Sequence, residues 1–166
     1  KQRKFIQTKA HIVKKIIQGE KRNGDKALIQ YEKKFSKNEI NKTSIKFSKK
    51  EINKIEKSIN LKLKRSIDIA YDRIKKFHEK QKILPFKLID KYKNELSYIY
   101  SPIDKVGVYV PGGTASYPST VLMNCIPAIV AGVKNIFLTT PALGTKVNPA
   151  IIYAAKKCGV KEIYKT

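Results

Sequence analysis

The sequence has 166 residues, 42% of them hydrophobic, and a formal net charge of +23 from 36 Lys+Arg and 13 Asp+Glu. This length and apolar fraction are enough for a packed core and argue against wholesale disorder, while 8 Gly and 7 Pro exclude collagen-like and low-complexity chains. The longest apolar stretch, residues 121–133, is interrupted by Asn124 and Pro127 and is too short to span a bilayer, so no transmembrane helix is expected.

The first forty residues predict two helices. Apolar residues recur at helical spacing over residues 6–19, and Gly19 is expected to end this helix. A second helix is predicted over residues 25–35, with Asp25 as its N-terminal cap. The N-terminus carries charges with no apolar segment behind them, so no secretory signal is expected.

A short strand and two more helices follow. Residues 44–47 alternate like a strand, and Ser48 with Glu51 forms a capping-box pattern that opens a helix. A further helix is predicted over residues 61–81, before Pro85. Its expected buried face consists of Leu63, Ile67, Ala70, Ile74 and Phe77.

At Glu95 the apolar period changes from 3.6 to 2. Strands are predicted over residues 96–100, 106–110, 135–140 and 160–164, and helices over residues 119–131 and 150–157. Ser119 and Asn148 are the expected helix caps. Alternating strands and helices favour a parallel sheet. We therefore predict an α/β fold. Residues 1–100 are expected to form a helical segment of the first domain, and residues 101–166 a truncated, Rossmann-like parallel-sheet domain. The strand at 160–164 is expected to leave an unpaired edge.

The charge is open to two interpretations. Residues 1–100 carry 29 basic and 11 acidic side chains, which favours a nucleic-acid-binding module. However, only 4 of the 36 basic residues are Arg, the residue that proteins use most to read phosphates and bases. A lysine-rich solvated surface is the interpretation we prefer, and a basic nucleic-acid-binding module is kept as the alternative.

The loop after the strand at 106–110 is the best candidate for a binding site. Ligands of open α/β sheets bind beyond the carboxyl ends of the strands. Gly112 and Gly113 allow the backbone to approach a ligand, and Ser119 supplies a hydroxyl. The loop has neither GxGxxG spacing nor a P-loop, so spacing alone leaves a cofactor site and a plain Pro-Gly turn both open.

Neither the cysteines nor the histidines form a recognisable motif. Cys125 and Cys158 lie in apolar contexts and have no CxxC spacing, so they are expected to be small buried thiols. His11 and His78 belong to no ligand pattern. No metal site is predicted within this segment.

Several stretches resemble a known family. Residues 106–141, VGVYVPGGTASYPSTVLMNCIPAIVAGVKNIFLTTP, closely resemble the most recognisable stretch of histidinol dehydrogenases, and residues 148–164 continue the similarity in register. Residues 23–35 resemble the early GD-x-AL-x-x-Y-x-x-x-F tract of that family, although Ser36 replaces its usual Asp. Residues 74–78 resemble its I-x-x-F-H helix.

The resemblance implies a zinc-dependent, NAD-linked enzyme that oxidises L-histidinol through an aldehyde to L-histidine. It also implies a cytoplasmic homodimer built on two Rossmann-like domains related to the aldehyde dehydrogenase fold, with no membrane partner. The tyrosine of the matching motif, Tyr109, is the implied NAD contact. From loop geometry alone, Gly112, Gly113 and Ser119 are expected to line the same pocket.

The rest of the family's machinery has no counterpart in residues 1–166. A Gly-Gly-Ala-Gln tract that contributes a second NAD contact, a catalytic Glu-His pair and the zinc ligands are all without a match. We therefore expect an N-terminal fragment with no catalytic residue and no zinc ligand of its own, inactive by itself. A standalone nucleotide-binding relic is a further hypothesis.

Overall fold

The computed structural model describes residues 2–112, 117–142 and 146–166, with side chains from residue 9 onward. The helices are α1 (Gln2–Asn23), α2 (Asp25–Tyr31), α3 (Lys49–Lys57), α4 (Leu61–Glu79), α5 (Pro118–Ala131) and α6 (Pro149–Lys157). The strands are β1 (Phe86–Ile89), β2 (Glu95–Tyr98), β3 (Lys105–Tyr109), β4 (Asn135–Thr140) and β5 (Glu162–Lys165). None of the described helices is both long and apolar enough to cross a membrane.

Strands β3, β4 and β5 form a parallel sheet in that order. The register places Val108 beside Leu138 and Leu138 beside Ile163, and all three side chains are buried. One helix, α5 or α6, connects each pair of successive strands. The predicted α/β class with a parallel sheet is therefore confirmed.

The two helices that connect these strands begin differently. In α5, Tyr117 is the N-cap residue and makes no side-chain cap, and Pro118 starts the helix. The prediction that Ser119 caps α5 is wrong, because the fixed φ of Pro118 and its missing N–H suit the first helical position. In α6 the predicted cap is confirmed, since the Asn148 side chain accepts a hydrogen bond from the Ala150 amide at 2.9 Å.

Helix α1 is longer than the sequence predicts. It continues through Gly19 to Asn23. Gly19 does not end the helix but gives Tyr31 room to pack against α1, since a Cβ at that position would collide with the Tyr31 hydroxyl. Gly24, with a φ of 52°, takes the cap position of α2. Asp25 is therefore the first helical residue and not the cap that we predicted. A π-helical turn, Glu32–Ser36, follows α2.

The predicted capping box at the start of α3 is confirmed. The Ser48 hydroxyl accepts from the Glu51 amide at 3.2 Å, and the Glu51 carboxylate accepts from the Ser48 amide at 2.7 Å. Two backbone donors that would otherwise lack a partner at the helix terminus are thereby satisfied.

Helix α4 packs against α5 and α6 through the middle of its apolar stripe. Ile67 is 4% exposed, and Ala70 and Ile74 pack against the same core. Leu63 and Phe77, at the two ends of the stripe, are 41% and 63% exposed. The prediction that both are buried is wrong, because the contact with α5 and α6 does not extend along the whole helix.

An amphipathic hairpin connects α4 to the sheet. Its first strand, β1, was not predicted from the sequence, and it pairs antiparallel with β2 so that Phe86 faces Tyr98 and Leu88 faces Leu96. Both strands are exposed. The hairpin turn is held by Asp90, whose carboxylate accepts from two backbone amides.

The outer edge of β5 is covered by the first half of the chain. The Phe47 amide donates to the Ile163 carbonyl at 2.9 Å, and the Lys165 amide donates to the Ile45 carbonyl at 2.7 Å. Lys46 and Tyr164 form an antiparallel bridge between these bonds. The predicted short strand at 44–47 is thus reduced to this bridge. The prediction of an unpaired edge at β5 is wrong, because residues 45–47 form hydrogen bonds with its backbone groups.

One hydrophobic core joins residues on both sides of position 100. Phe47, Ile59 and Ile67 belong to the same buried cluster as the side chains of the parallel sheet, α5 and α6. Both cysteines, Cys125 and Cys158, are buried in this cluster as free thiols, as predicted. Helices α3 and α4 therefore share one core with the sheet, and they pack on its connecting helices α5 and α6.

Candidate functional site

The carboxyl ends of the three parallel strands meet at one edge of the sheet. Tyr109 is the last residue of β3 and pairs in register with Thr139 of β4. Thr140, the last residue of β4, pairs with Lys165, the last residue of β5. Ligands of open parallel sheets bind at this edge.

The Tyr109 side chain lies on the side of the sheet opposite the core. Its neighbours Val108 and Val110 are 5% and 0% exposed, whereas Tyr109 is 60% exposed. Successive side chains of a strand point to opposite faces, so Tyr109 projects away from the core. Its ring is therefore available to stack on a planar ligand.

Gly112 brings the loop after β3 close to the loop after β4. A Cβ at this position would lie 3.1 Å from the Cβ of Pro141, which is tighter than ordinary van der Waals contact. Glycine thus favours close packing of the two loops here. Ser119 is exposed in the first turn of α5, and the predicted site residue Gly113 lies outside the described residues.

Three threonines at the same edge were not singled out from the sequence. The hydroxyls of Thr139 and Thr166 lie 2.8 Å apart and form a hydrogen bond. The buried hydroxyl of Thr140 has no hydrogen-bond partner among the described residues. Tyr109 was selected through the family resemblance, whereas a search for polar side chains at the carboxyl ends of the predicted strands would also have found Thr139.

An ion pair between a buried lysine and a partly exposed glutamate supports the end of β5. Lys165 is 4% exposed, and its ammonium group donates to the Glu51 carboxylate at 2.6 Å and lies 4.6 Å from the centre of the Phe47 ring. Burial acts to raise the pKa of Glu51, but hydrogen bonds from Lys165 and Ser48 outweigh it, so this pKa is lowered from its ordinary value. Glu51 thus caps α3 and neutralises a lysine beneath the sheet edge.

The loop after β4 is held by a second residue from the first half of the chain. Asn38 is 5% exposed, and its side-chain amide donates to the Ala142 carbonyl at 2.7 Å. A buried side-chain amide bonded to a backbone carbonyl fixes the position of a loop. Asn38 therefore holds the loop after β4, and Gly112 allows the loop after β3 to pack against that loop.

The histidines belong to other parts of the molecule. His11 lies exposed on α1. His78 lies at the end of α4, with its ring nitrogen 2.6 Å from the side-chain oxygen of Gln81. It lines a cavity of about 330 Å³ together with Pro127 and Val130 of α5. These two residues lie at the end of α5 that is remote from Ser119. Across residues 2–112, 117–142 and 146–166, no group of three or more His, Cys, Asp or Glu side chains could hold a metal ion.

Known proteins resemble this chain over its whole length. A family model described as histidinol dehydrogenase matches residues 1–166. The chain belongs to the histidinol dehydrogenase family. The resemblance predicted from the sequence is thereby confirmed, and the alternative of a nucleic-acid-binding module is not favoured.

Individual histidinol dehydrogenases are similar to the chain in sequence and in fold. The protein from Pelagibacter ubique is 52% identical over 164 residues, and that from Helicobacter hepaticus is 43% identical over 107 residues. The crystal structure of histidinol dehydrogenase from Elizabethkingia anophelis superposes with a TM-score of 0.87 at 39% identity, covering 95% of this chain and 36% of that one. The matched residues are 99% of this chain but only 37% of the Pelagibacter ubique protein, so the chain spans about a third of the length of that relative.

Proposed function

We propose that this chain is part of an enzyme that oxidises L-histidinol to L-histidine through histidinaldehyde, with reduction of two NAD+, in histidine biosynthesis. The observation that supports this proposal is the match of the histidinol dehydrogenase family to residues 1–166. We further propose that residues 1–100 are a helical segment of the first domain and that residues 101–166 open its NAD-binding domain.

Features of the residues at the sheet edge support a dinucleotide as the proposed ligand. Tyr109 offers an exposed ring at the end of β3. Gly112, which packs against Pro141, places no side chain between a ligand and the backbone of the loop. We propose that Tyr109, Gly112, Gly113 and Ser119 bind NAD+, which accepts a hydride when bound. Ser119 lies in the first turn of α5, and the N-terminus of a helix favours an anionic group such as a phosphate.

The described residues do not fit zinc, since they bring together no cluster of three suitable ligands. We propose that the zinc ligands and the catalytic acid and base of the enzyme lie outside residues 1–166. The proposed assembly is a cytoplasmic homodimer that takes L-histidinol as its small-molecule substrate. No reaction step is assigned to a residue of this chain.

Residues 1–166 alone are expected to show no histidinol-oxidising activity. The general base of such a reaction must lie within hydrogen-bond reach of the substrate hydroxyl, and neither His11 nor His78 lies on a strand or loop of the candidate edge. NADH formation with L-histidinol should stay at the background without protein, and the full-length Pelagibacter ubique relative provides the positive control. Turnover that depends on L-histidinol would contradict the proposed location of the catalytic groups.

Replacing Tyr109 with Ala is expected to weaken NAD+ binding by the purified chain about 5- to 150-fold. Stacking of an aromatic side chain on a base contributes about 1–3 kcal/mol, and the substitution removes the ring. Isothermal titration calorimetry with NAD+ measures the change. The phenylalanine variant, Tyr109→Phe, should retain most of the affinity if stacking is the main contact.

Tyr92→Ala is the matched control, because Tyr92 is 72% exposed on the hairpin turn. It should bind NAD+ as the unmodified chain does. Equal affinities for Tyr109→Ala and the unmodified chain would argue against a cofactor contact at Tyr109.

A further inference from the structure

Three hydroxyl-bearing residues follow one another across the sheet edge. Tyr109 ends β3, Thr139 is its register partner on β4, and Thr166 directly follows β5. The Thr139 and Thr166 hydroxyls are 2.8 Å apart. Neighbouring strands of a sheet lie about 4.8 Å apart, so β3 and β5 are separated by about 10 Å, a distance that a dinucleotide spans.

These residues face away from the core. Val108 and Leu138, which precede Tyr109 and Thr139 along their strands, are 5% and 1% exposed and point into the core. On the other face, a Cβ added to Gly107 would meet no atom within 4 Å. Tyr109 is exposed on this face and Thr139 is partly exposed. The edge is therefore open to a ligand on the Tyr109 side.

The threonine pair has hydrogen-bonding capacity to spare. Each hydroxyl has one proton and two lone pairs. One hydroxyl donates to the other, so one O–H and several lone pairs are left for a further partner. The pair can therefore donate to and accept from the hydroxyl and phosphate oxygens of a nucleotide.

We propose that Thr139 and Thr166 form a polar subsite. It binds the sugar–phosphate part of a dinucleotide that stacks one of its two bases on Tyr109. This inference rests on the proposed function, because it takes NAD+ as the ligand of the edge. The strand order β3-β4-β5 makes the subsite continuous with Tyr109, since β4 lies between the two outer strands. A cofactor held at Tyr109 and extended along the edge crosses β4 at Thr139.

The test compares NAD+ with ADP-ribose, which keeps the sugar–phosphate part and lacks nicotinamide. Thr139→Val removes the hydroxyl and retains a β-branched side chain that suits a strand. It is expected to weaken binding of both ligands by the same factor, about 3- to 10-fold, the loss of one hydrogen bond. Thr166→Val should have a similar effect, and Thr139→Ser, which retains the hydroxyl, should bind like the unmodified chain.

Two controls separate a binding role from a structural one. Ser97→Ala removes an exposed hydroxyl from β2 and should leave both affinities unchanged. The urea midpoint of Thr139→Val should lie close to that of the unmodified chain, so that weaker binding is not caused by partial unfolding.

The outcomes distinguish this subsite from the proposed function. Unchanged affinity of Thr139→Val and Thr166→Val, together with weaker binding by Tyr109→Ala, overturns the subsite and supports the Tyr109 contact. Weaker binding by the threonine variants with unchanged binding by Tyr109→Ala supports the subsite and overturns the Tyr109 contact. No binding of either ligand by the unmodified chain overturns both.

Discussion

Replacing Leu138 with Ala is expected to lower the free energy of unfolding by about 3–5 kcal/mol. Leu138 is 1% exposed on the central strand of the parallel sheet, where it lies between Val108 and Ile163. Its removal leaves a cavity that the neighbouring strands fill only in part, because their positions are fixed by backbone hydrogen bonds. Urea denaturation followed by circular dichroism measures the loss.

Leu84→Ala is the matched control, because Leu84 is 73% exposed before the hairpin. Its free energy of unfolding should change by less than about 0.5 kcal/mol. A loss below about 1 kcal/mol for Leu138→Ala would mean that the centre of the sheet is not packed as described.

Replacing Glu51 with Ala is expected to cost about 3–5 kcal/mol of stability, although Glu51 lies on a helix surface. The substitution leaves the Lys165 ammonium group buried without its carboxylate, and an uncompensated buried charge is strongly destabilising. It also removes half of the capping box of α3. The free energy of unfolding from urea titration is the measurement.

Three variants separate these contributions. Glu51→Gln keeps an N3 side chain that can complete the capping box, so it should lose mainly the charge interaction. The double variant Glu51→Ala/Lys165→Met should recover part of the loss, because no charge is then buried. Glu56→Ala breaks an ion pair with Lys156, which is 53% exposed, and should cost less than about 1 kcal/mol. If Glu51→Ala lowered the free energy of unfolding no more than Glu56→Ala does, the ion pair of Glu51 with Lys165 would stabilise the fold no more than an exposed pair.

The stability from the Glu51 pair should depend on pH in a definite direction. The pKa of Glu51 is lower in the folded chain than its ordinary value, so the folded state favours the ionised form. This contribution is complete above the ordinary pKa of a glutamate and is lost as the pH falls through the lowered pKa. The difference in unfolding free energy between the unmodified chain and Glu51→Gln should therefore shrink in acid.

Local signals in the sequence predicted the parts of the fold that local interactions determine. The capping box of Ser48 and Glu51 and the Asn148 cap of α6 depend on residues two or three positions apart, and both are present. Strand β4 was predicted at its exact bounds, because its apolar run is flanked by Gly132 and Pro141. Local patterns failed at Gly19, where the contact with Tyr31 comes from another helix.

Contacts between distant residues account for what the sequence did not predict. Strand β1 has no strong alternating pattern of its own, and it is recognised only through its pairing with β2. At the candidate site, Tyr109 follows from the family resemblance and Gly112 from its position in the loop after a strand. The contact between Thr139 and Thr166 depends on the register of β4 and β5, which no single segment specifies.

The cover on the outer edge of β5 has a consequence for the order of folding. Lys46 forms an ion pair with Glu162, 116 positions later in the chain. During synthesis, residues 45–47 leave the ribosome long before β5 exists, so their backbone groups remain hydrated until β5 is made. Pairings between residues so far apart form slowly. The outer edge of β5 is thus covered by a segment that was made more than a hundred residues earlier.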